Sequence, residues 1–368
     1  MFKKLASAAC LVSSTFATIN VDYAQYISGE KKMDYGTFET MWDQYTQEVM
    51  TASNKDDVTR KQTFGENVQA IIEHNLSGAS YMKGINKFTD LTEKEFQDYF
   101  NLKETGWGED QHCSATDNRM SVEKKINFAD QGPHFDWREH HGVSPVKNQG
   151  HCGSCWTFST VGALEAHTMI KYHGDFTPLS EQQLVDCAGA YDNHGCNGGL
   201  PSHAFEYIQA AGGISTETDY PYYAEDRNCT VNPDTFALKV WGGSVNITEG
   251  DEQEMASALV GHGPVSIAFQ VVDGFRDYTS GIYTSDTCKN STADVNHAVL
   301  AVGFGTCPHT GMDYWIVKNS WGADWGDEGY FKIERGVNMC GVAVCNSFPQ
   351  GVSMIHKSHN DEYFLSQS

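Results

Sequence analysis

Basic side chains are the scarcest feature of this 368-residue chain: 25 Lys and Arg stand against 48 Asp and Glu, a formal net charge of −23. Such a deficit argues against nucleic-acid or anionic-membrane partners, which are gripped by clustered Lys and Arg. Long apolar runs are missing as well. Beyond the N-terminus no segment approaches the roughly 20 residues needed to cross a bilayer. No internal repeat or low-complexity tract stands out. What is present is a core: 40% hydrophobic and 12% aromatic residues, which a disordered chain lacks. The length implies two or more compact units. Fifteen His would offset part of the negative charge in an acidic compartment.

The first residues read as an address. Lys3 and Lys4 precede a weakly apolar stretch from Leu5 to Ala17 that ends in small residues, the pattern of a secretory leader over 1–17. The competing reading is a frayed helix. Export would make the 11 Cys disulfide formers. Four Asn-x-Ser/Thr sequons, at Asn75, Asn228, Asn246 and Asn290, are candidate glycosylation sites on the same route.

Between Tyr35 and about Phe100 the periodicity is helical. Phe38, Trp42 and Tyr45 fall on one face, and Arg60, Phe64, Asn67, Ile71 and Asn75 continue at spacings of three and four. Residues 101–135 form a Gly-, Asp- and Ser-containing connector suited to proteolytic cuts. A second body starts near Phe135-Asp136-Trp137. Its first half is helical in character: Ser180 and Gln183 make a capping-box pattern, and Pro201 suits the first position of a helix over 202–208. Its second half turns to short β-prone runs at 297–302, 314–317 and 330–333 between Gly-rich turns. The expectation is an α+β protein with a helical lobe, a β lobe and a cleft between them.

The chemistry centres on Gln149-Gly-His-Cys152-Gly-Ser154-Cys155-Trp156. Ser154 is a good N-cap, and Phe158, Val161 and Leu164 continue a helical row. Cys155 would then stand at a helix N-terminus, where free N–H groups and the dipole favour a thiolate. A redox pair or half a zinc site are the competing readings of Cys152-x-x-Cys155. Neither finds its context, since no βαβ unit surrounds the motif and no second ligand pair has suitable spacing.

The Cys-Gly-Ser-Cys-Trp string resembles the local signature of the papain family of cysteine peptidases. The row Arg60 to Asn75, with Asp56 where Glu is usual, resembles the ERFNIN pattern of that family's propeptides, and Gly84, Asn86, Phe88 and Asp90 resemble the GxNxFxD element. The resemblance implies a papain-like two-lobe fold, a helical L lobe and a β-barrel-like R lobe, preceded by a helical inhibitory propeptide. It implies Cys155 as nucleophile and His297, 142 residues later, as its base, inside the family's spacing of roughly 130–150. Asn319, in Lys-Asn-Ser-Trp-Gly, would orient the imidazole, Trp321 would shield that bond, and Gln149 would donate to the oxyanion. Gly198, Gly199 and Trp321 are implied substrate-binding positions. Neither a metal nor an organic cofactor is expected.

Within the family the match is closest to the cathepsin H branch. Glu109 to Thr116 resembles that branch's mini-chain, a propeptide octapeptide retained by a disulfide, with Asp110 and His112 replacing the usual Pro and Asn. A disposable linker with a stray Cys is the other reading. The resemblance implies pairs Cys152–Cys196, Cys187–Cys229, Cys288–Cys340 and Cys113–Cys345, with Cys10 lost in the leader and Cys307 left without a partner, either a free thiol or paired between chains. The carboxylate of Thr116 would then meet a substrate's α-ammonium and make the enzyme an aminopeptidase. An unrestricted cathepsin L-like endopeptidase and a non-catalytic binding or storage homologue are the rivals. The implied organisation is leader 1–17, propeptide 18–131 with mini-chain 109–116, and peptidase 132–368. The expected partners are peptide and protein substrates, the chain's own propeptide as inhibitor, and cystatin-like inhibitors. A monomer in a lysosome or equivalent acidic vacuole, or secreted, is expected. The tail from 351 onward has no reading.

Overall fold

The structure, a computed structural model, describes residues 24–49, 57–102, 113 and 134–355. The leader, Asp56, Thr116 and the rest of the mini-chain apart from Cys113, the expected 131/132 boundary and the tail beyond 355 lie outside the described residues. Among the described residues no helix is long and apolar enough to cross a membrane.

The N-terminal segment forms helices α1 (Ala24–Ile27), α2 (Tyr35–Glu48), α3 (Val58–Leu76) and α4 (Glu93–Phe100), with strand β1 (Tyr81–Lys83) between the last two. The predicted rows are its core: Trp42 and Tyr45 of α2 meet Phe64, Val68 and Ile71 of α3, all buried. Polar members of the α2 and α3 rows hold the loop after β1. Arg60 donates to the Asp90 carbonyl at 3.0 Å, Asn67 to those of Thr89 and Leu91 at 2.7 and 2.9 Å, and Tyr45 Oη to the Asp90 carboxylate at 2.7 Å. Helix α4 starts on a full capping box, Thr92 with Glu95, that sequence reading had missed.

In the second body, helix α5 (Cys155–Lys171) is buried along its first fourteen residues, as a helix apolar on all sides must be. Around it lie α6 (Glu181–Cys187) and α7 (Pro201–Ala211), the latter with Pro201 in its first turn as expected. Ser180 caps α6 by accepting from Gln183 N, but the box is half made. The Gln183 side chain turns inward to Tyr207 Oη, Gly213 O and Ser215 N.

The predicted runs become β8 (His297–Thr306), β9 (Asp313–Lys318) and β10 (Tyr330–Glu334). They join β2 (His134–Asp136), β5 (Ser244–Asn246), β6 (Val265–Phe269), β7 (Tyr278–Tyr283) and β11 (Ser347–Pro349) in one sheet of order β1-β7-β10-β9-β8-β6-β11-β5, with β2 on β8. Helix α8 (Glu252–Gly261), not anticipated, packs on this sheet. The small sheet β12-β4-β3 (Val352–Met354, Phe236–Val240, Ile214–Ser215) sits on the helical side. The two lobes are therefore not strictly sequential, because each end of the body crosses to the other lobe.

The N-terminal segment is welded to the β lobe. β1 pairs antiparallel with β7 at the sheet margin, where Gly281 is needed: its φ is +89°, and a Cβ would lie 2.6 Å from Tyr81 Cα. Phe88, Phe96 and Phe100 are buried in the same core as Phe275, Trp321 and Trp325. Burying each such ring contributes about 1.5–3 kcal/mol.

Candidate active site

Cys155 is the first residue of α5, as expected, but Ser154 makes no side-chain cap. Its hydroxyl instead donates to Tyr222 Oη at 2.6 Å, and Tyr222 Oη donates to the Gln149 carbonyl at 2.7 Å. One tyrosine thus ties the residue before Cys155 to the segment carrying Gln149. The first N–H groups of α5 stay free of a cap and favour negative charge on sulfur, and Ala298 N donates to Sγ at 3.5 Å. Burial outweighs them and pushes the thiol up to about 11.

His297 opens β8 and faces this helix end. Its Nε2 donates to Asn319 Oδ1 at 2.8 Å. The same oxygen accepts from Ser320 N at 2.8 Å, which fixes the amide so that oxygen, not nitrogen, meets the ring. The tautomer follows: Nδ1 carries the lone pair, and it is buried without a hydrogen-bond partner among the described residues. Trp321, fully buried, stacks on the imidazole at 4.9 Å and shields the bond to Asn319. Burial holds the ring down to about 4, with the Asn319 bond opposing. Burial thus favours the neutral form of both the thiol and the imidazole.

Gln149 is also fully buried. Its Nε2 donates to Cys152 O at 2.9 Å, and its Oε1 accepts from Ser320 Oγ at 2.6 Å. One amide hydrogen is left uncommitted by that bond. At Gly199 a Cβ would collide with the Trp156 ring and Asn193 Oδ1. Gly198 has φ +110°, so both expected glycines are sterically required. Gly199, Cys155 and His297 wall one cavity, and Cys113 and Cys345 share that wall.

Beneath the site lies a buried ionic network that sequence reading did not find. Lys147 Nζ donates to Glu165 and Glu181, each at 2.8 Å. Ser144 Oγ donates to Glu165 and accepts from Lys318 Nζ at 3.0 Å. Burial works against the Lys147 charge, yet Glu181 and Glu165 together hold it above its ordinary range. Burial lowers Lys318 to about 8, and it raises Glu181 to about 7 against the pull of Lys147. The network joins the strand end before Asn319, the segment before Gln149, and α5 behind Cys155. Its one sequence signal is Glu165 itself, a charge directly after Leu164 in an apolar helical row.

The N-terminal segment closes the site from both walls. Phe100 stacks on Trp321 at 4.9 Å and Phe96 meets it edge-on at 5.3 Å. Tyr99 stacks on His151 at 4.9 Å, and Asn101 Nδ2 donates to Cys196 O at 3.3 Å. From the other side, buried Arg276 donates to Leu91 O at 2.9 Å and Asn67 Oδ1 at 2.7 Å.

The pairs Cys152–Cys196, Cys187–Cys229, Cys288–Cys340 and Cys113–Cys345 are all formed. Cys307 corrects the sequence scheme: it is disulfide-bonded. The family pattern holds no cysteine there, so the resemblance could not supply its bond. Among the described residues Cys155 is the free thiol. The sequons divide. Asn228 and Asn290 are exposed, whereas Asn75 Nδ2 donates to Ile27 O and Lys83 O and Asn246 is 3% exposed. The folded form has room for a glycan at the first two and none at the others. His134, Asp136 and Glu139 could present three metal-ligand atoms, but Arg138 already grips the Asp136 carboxylate at 2.6–3.0 Å.

Comparison with known proteins agrees with this architecture. Residues 132–350 match the papain family cysteine protease domain, and residues 42–96 match the cathepsin propeptide inhibitor domain. Thiol protease aleurain of Arabidopsis thaliana is 53% identical over 289 residues, 78% of this chain and 76% of that protein. Pro-cathepsin H of Mus musculus is 48% identical over 294 residues, 79% of this chain and 84% of that protein. The solved digestive procathepsin L2 proteinase of Tenebrio molitor superposes with a TM-score of 0.75 at 36% identity, covering 85% of this chain and all of that one. The chain belongs to the papain family of cysteine proteases and carries its inhibitor domain in the same polypeptide.

Proposed function

We propose that the processed protein is chiefly an aminopeptidase whose cleft is blocked at one end by the retained segment Glu109–Thr116. The observation that carries this is the Cys113–Cys345 bond in the wall of the cavity shared by Cys155 and His297. Ser202 Oγ adds a hydrogen bond to Cys113 O at 3.1 Å. A segment tethered there fills the cleft on one side of the thiol, and the carboxylate of Thr116 meets the α-ammonium of the substrate.

The chemistry is acyl transfer. Cys155 passes its proton to His297 Nδ1, and the thiolate adds to the peptide carbonyl. Gln149 Nε2 and the Cys155 backbone N–H donate to the oxyanion. His297 protonates the leaving amine, then takes a proton from the water that hydrolyses the thioester. Asn319 keeps the imidazole in the required tautomer throughout. Residues 1–17 act as leader, 18–131 as propeptide and 132–368 as peptidase. The chain takes the secretory route to an acidic vacuole or to export, working as a monomer open to cystatin-like inhibitors.

Replacing the tether tests the specificity. In the processed enzyme, Cys113→Ser is expected to lower kcat/KM for unblocked aminoacyl substrates about tenfold, the worth of one charged contact. Cleavage of N-acetylated peptides should rise in parallel, and Cys345→Ser should behave alike. An unchanged substrate profile in both variants would sink the mini-chain reading.

A further inference from the structure

Lys87 of the propeptide is bound as a ligand would be. Its Nζ donates to Trp321 O at 2.8 Å and to Asp324 Oδ1 at 2.7 Å, and it lies 5.5 Å from the Phe88 ring centre. The two acceptors belong to the peptidase domain, whereas lysine and Phe88 belong to the segment that is removed. Between the acceptors sits Gly322, at φ +88°, where any Cβ would collide with Asp324 Oδ1 and with Lys87 Nζ. The peptidase domain therefore presents a carboxylate and a carbonyl converging on one point, kept clear of side chains.

That point adjoins the reacting centre. Trp321 stacks on His297, yet it is absent from the walls of the cavity that holds Cys113 and Cys345. The imidazole thus touches both features, while Trp321 belongs to only one of them. We infer that Trp321 O and Asp324 form a subsite for a lysine or arginine side chain of the substrate, which the propeptide fills with its own lysine until it is cut away. Its place in the leaving half of the peptide, just after the scissile bond, rests on the aminopeptidase polarity above. The acceptor chemistry does not. Asp324 is half exposed, its side chain at 53%, so the gain is that of a partly screened ion pair.

The test uses the processed enzyme and free-amino pentapeptides carrying Lys, norleucine or Glu at each of the three positions after the cut. Lys should exceed norleucine in kcat/KM by roughly two- to fivefold at one of them, the range for an exposed pair, and the ratio should shrink with added salt. Asp324→Asn should bring the ratio near one, and Asp324→Lys should turn the preference toward Glu. Equal rates for Lys and norleucine at all three positions overturn the subsite, as does a lysine preference that survives Asp324→Asn. N-acetylated copies of the peptides report separately on polarity: their cleavage would remove the aminopeptidase reading while the lysine ratio is still scored.

Discussion

Iodoacetamide at pH 6 is expected to alkylate Cys155 at least about a hundredfold faster in the processed enzyme than in the full-length chain. The thiolate is the reacting species. In the closed form burial holds the Cys155 thiol up at about 11 and the His297 ring down at about 4. Removing Phe96, Tyr99 and Phe100 readmits water, and a return of the thiol merely to its free value of about 8.5 multiplies the thiolate by more than two powers of ten. An opposed imidazolium increases it further. The inhibitor domain thus disarms the pair as well as covering it. The sign with pH follows from His297. Its pKa is depressed in the closed form, so that form is fully stable above about 6.5 and loses stability as pH falls toward 4. Acid should favour opening. Equal alkylation rates before and after processing would show that the propeptide blocks substrates without changing the thiol.

Glu165→Gln, placed in a Cys155→Ala background to prevent self-processing, should lower stability by about 3–5 kcal/mol, the cost of stranding a buried charge. In thermal denaturation of a body this size that is a drop of roughly 6–20 °C. Glu165 accepts from Lys147, Ser144 and Leu179 N, and its removal leaves Lys147 and Lys318 sharing Glu181 alone. Lys94→Ala breaks the exposed Lys94–Asp98 pair and should cost less than about 1 kcal/mol. Adding Lys147→Met to Glu165→Gln should recover part of the loss, since the stranded cation leaves with it. If Glu165→Gln melts with the Lys94→Ala protein, the network contributes no more than a surface pair.

What could be read from the sequence was local or periodic. The α2 and α3 rows, Pro201, the three strands and the Cys155 helix start each depend on residues within a turn or two of each other. His297 and Asn319 were legible because their neighbours carry family motifs, not because any spacing dictates a contact. The misses share a different cause. The β12–β4 pairing and the Lys147–Glu165–Glu181–Lys318 network join residues far apart in the chain, which no periodicity encodes. Ser154 looked like a cap because a serine before a helix usually is one, but Tyr222, 68 residues on, outcompeted the helix N–H groups. Asn75 and Asn246 satisfy a three-residue sequon pattern that carries no information about burial.

The pairing of β1 with β7 has a consequence for the released enzyme. While the propeptide is present, β7 lies between two partners: β1 pairs with Tyr278, Ser280 and Gly281, and β10 pairs with Ile282 and Tyr283. Excision unzips one of these seams and turns an interior strand into a boundary strand with a bare row of donors and acceptors, the surface on which foreign strands add and aggregates seed. The three residues of β1 therefore cover a sheet margin as well as holding the inhibitor in place, although they never touch the bond the protease cuts.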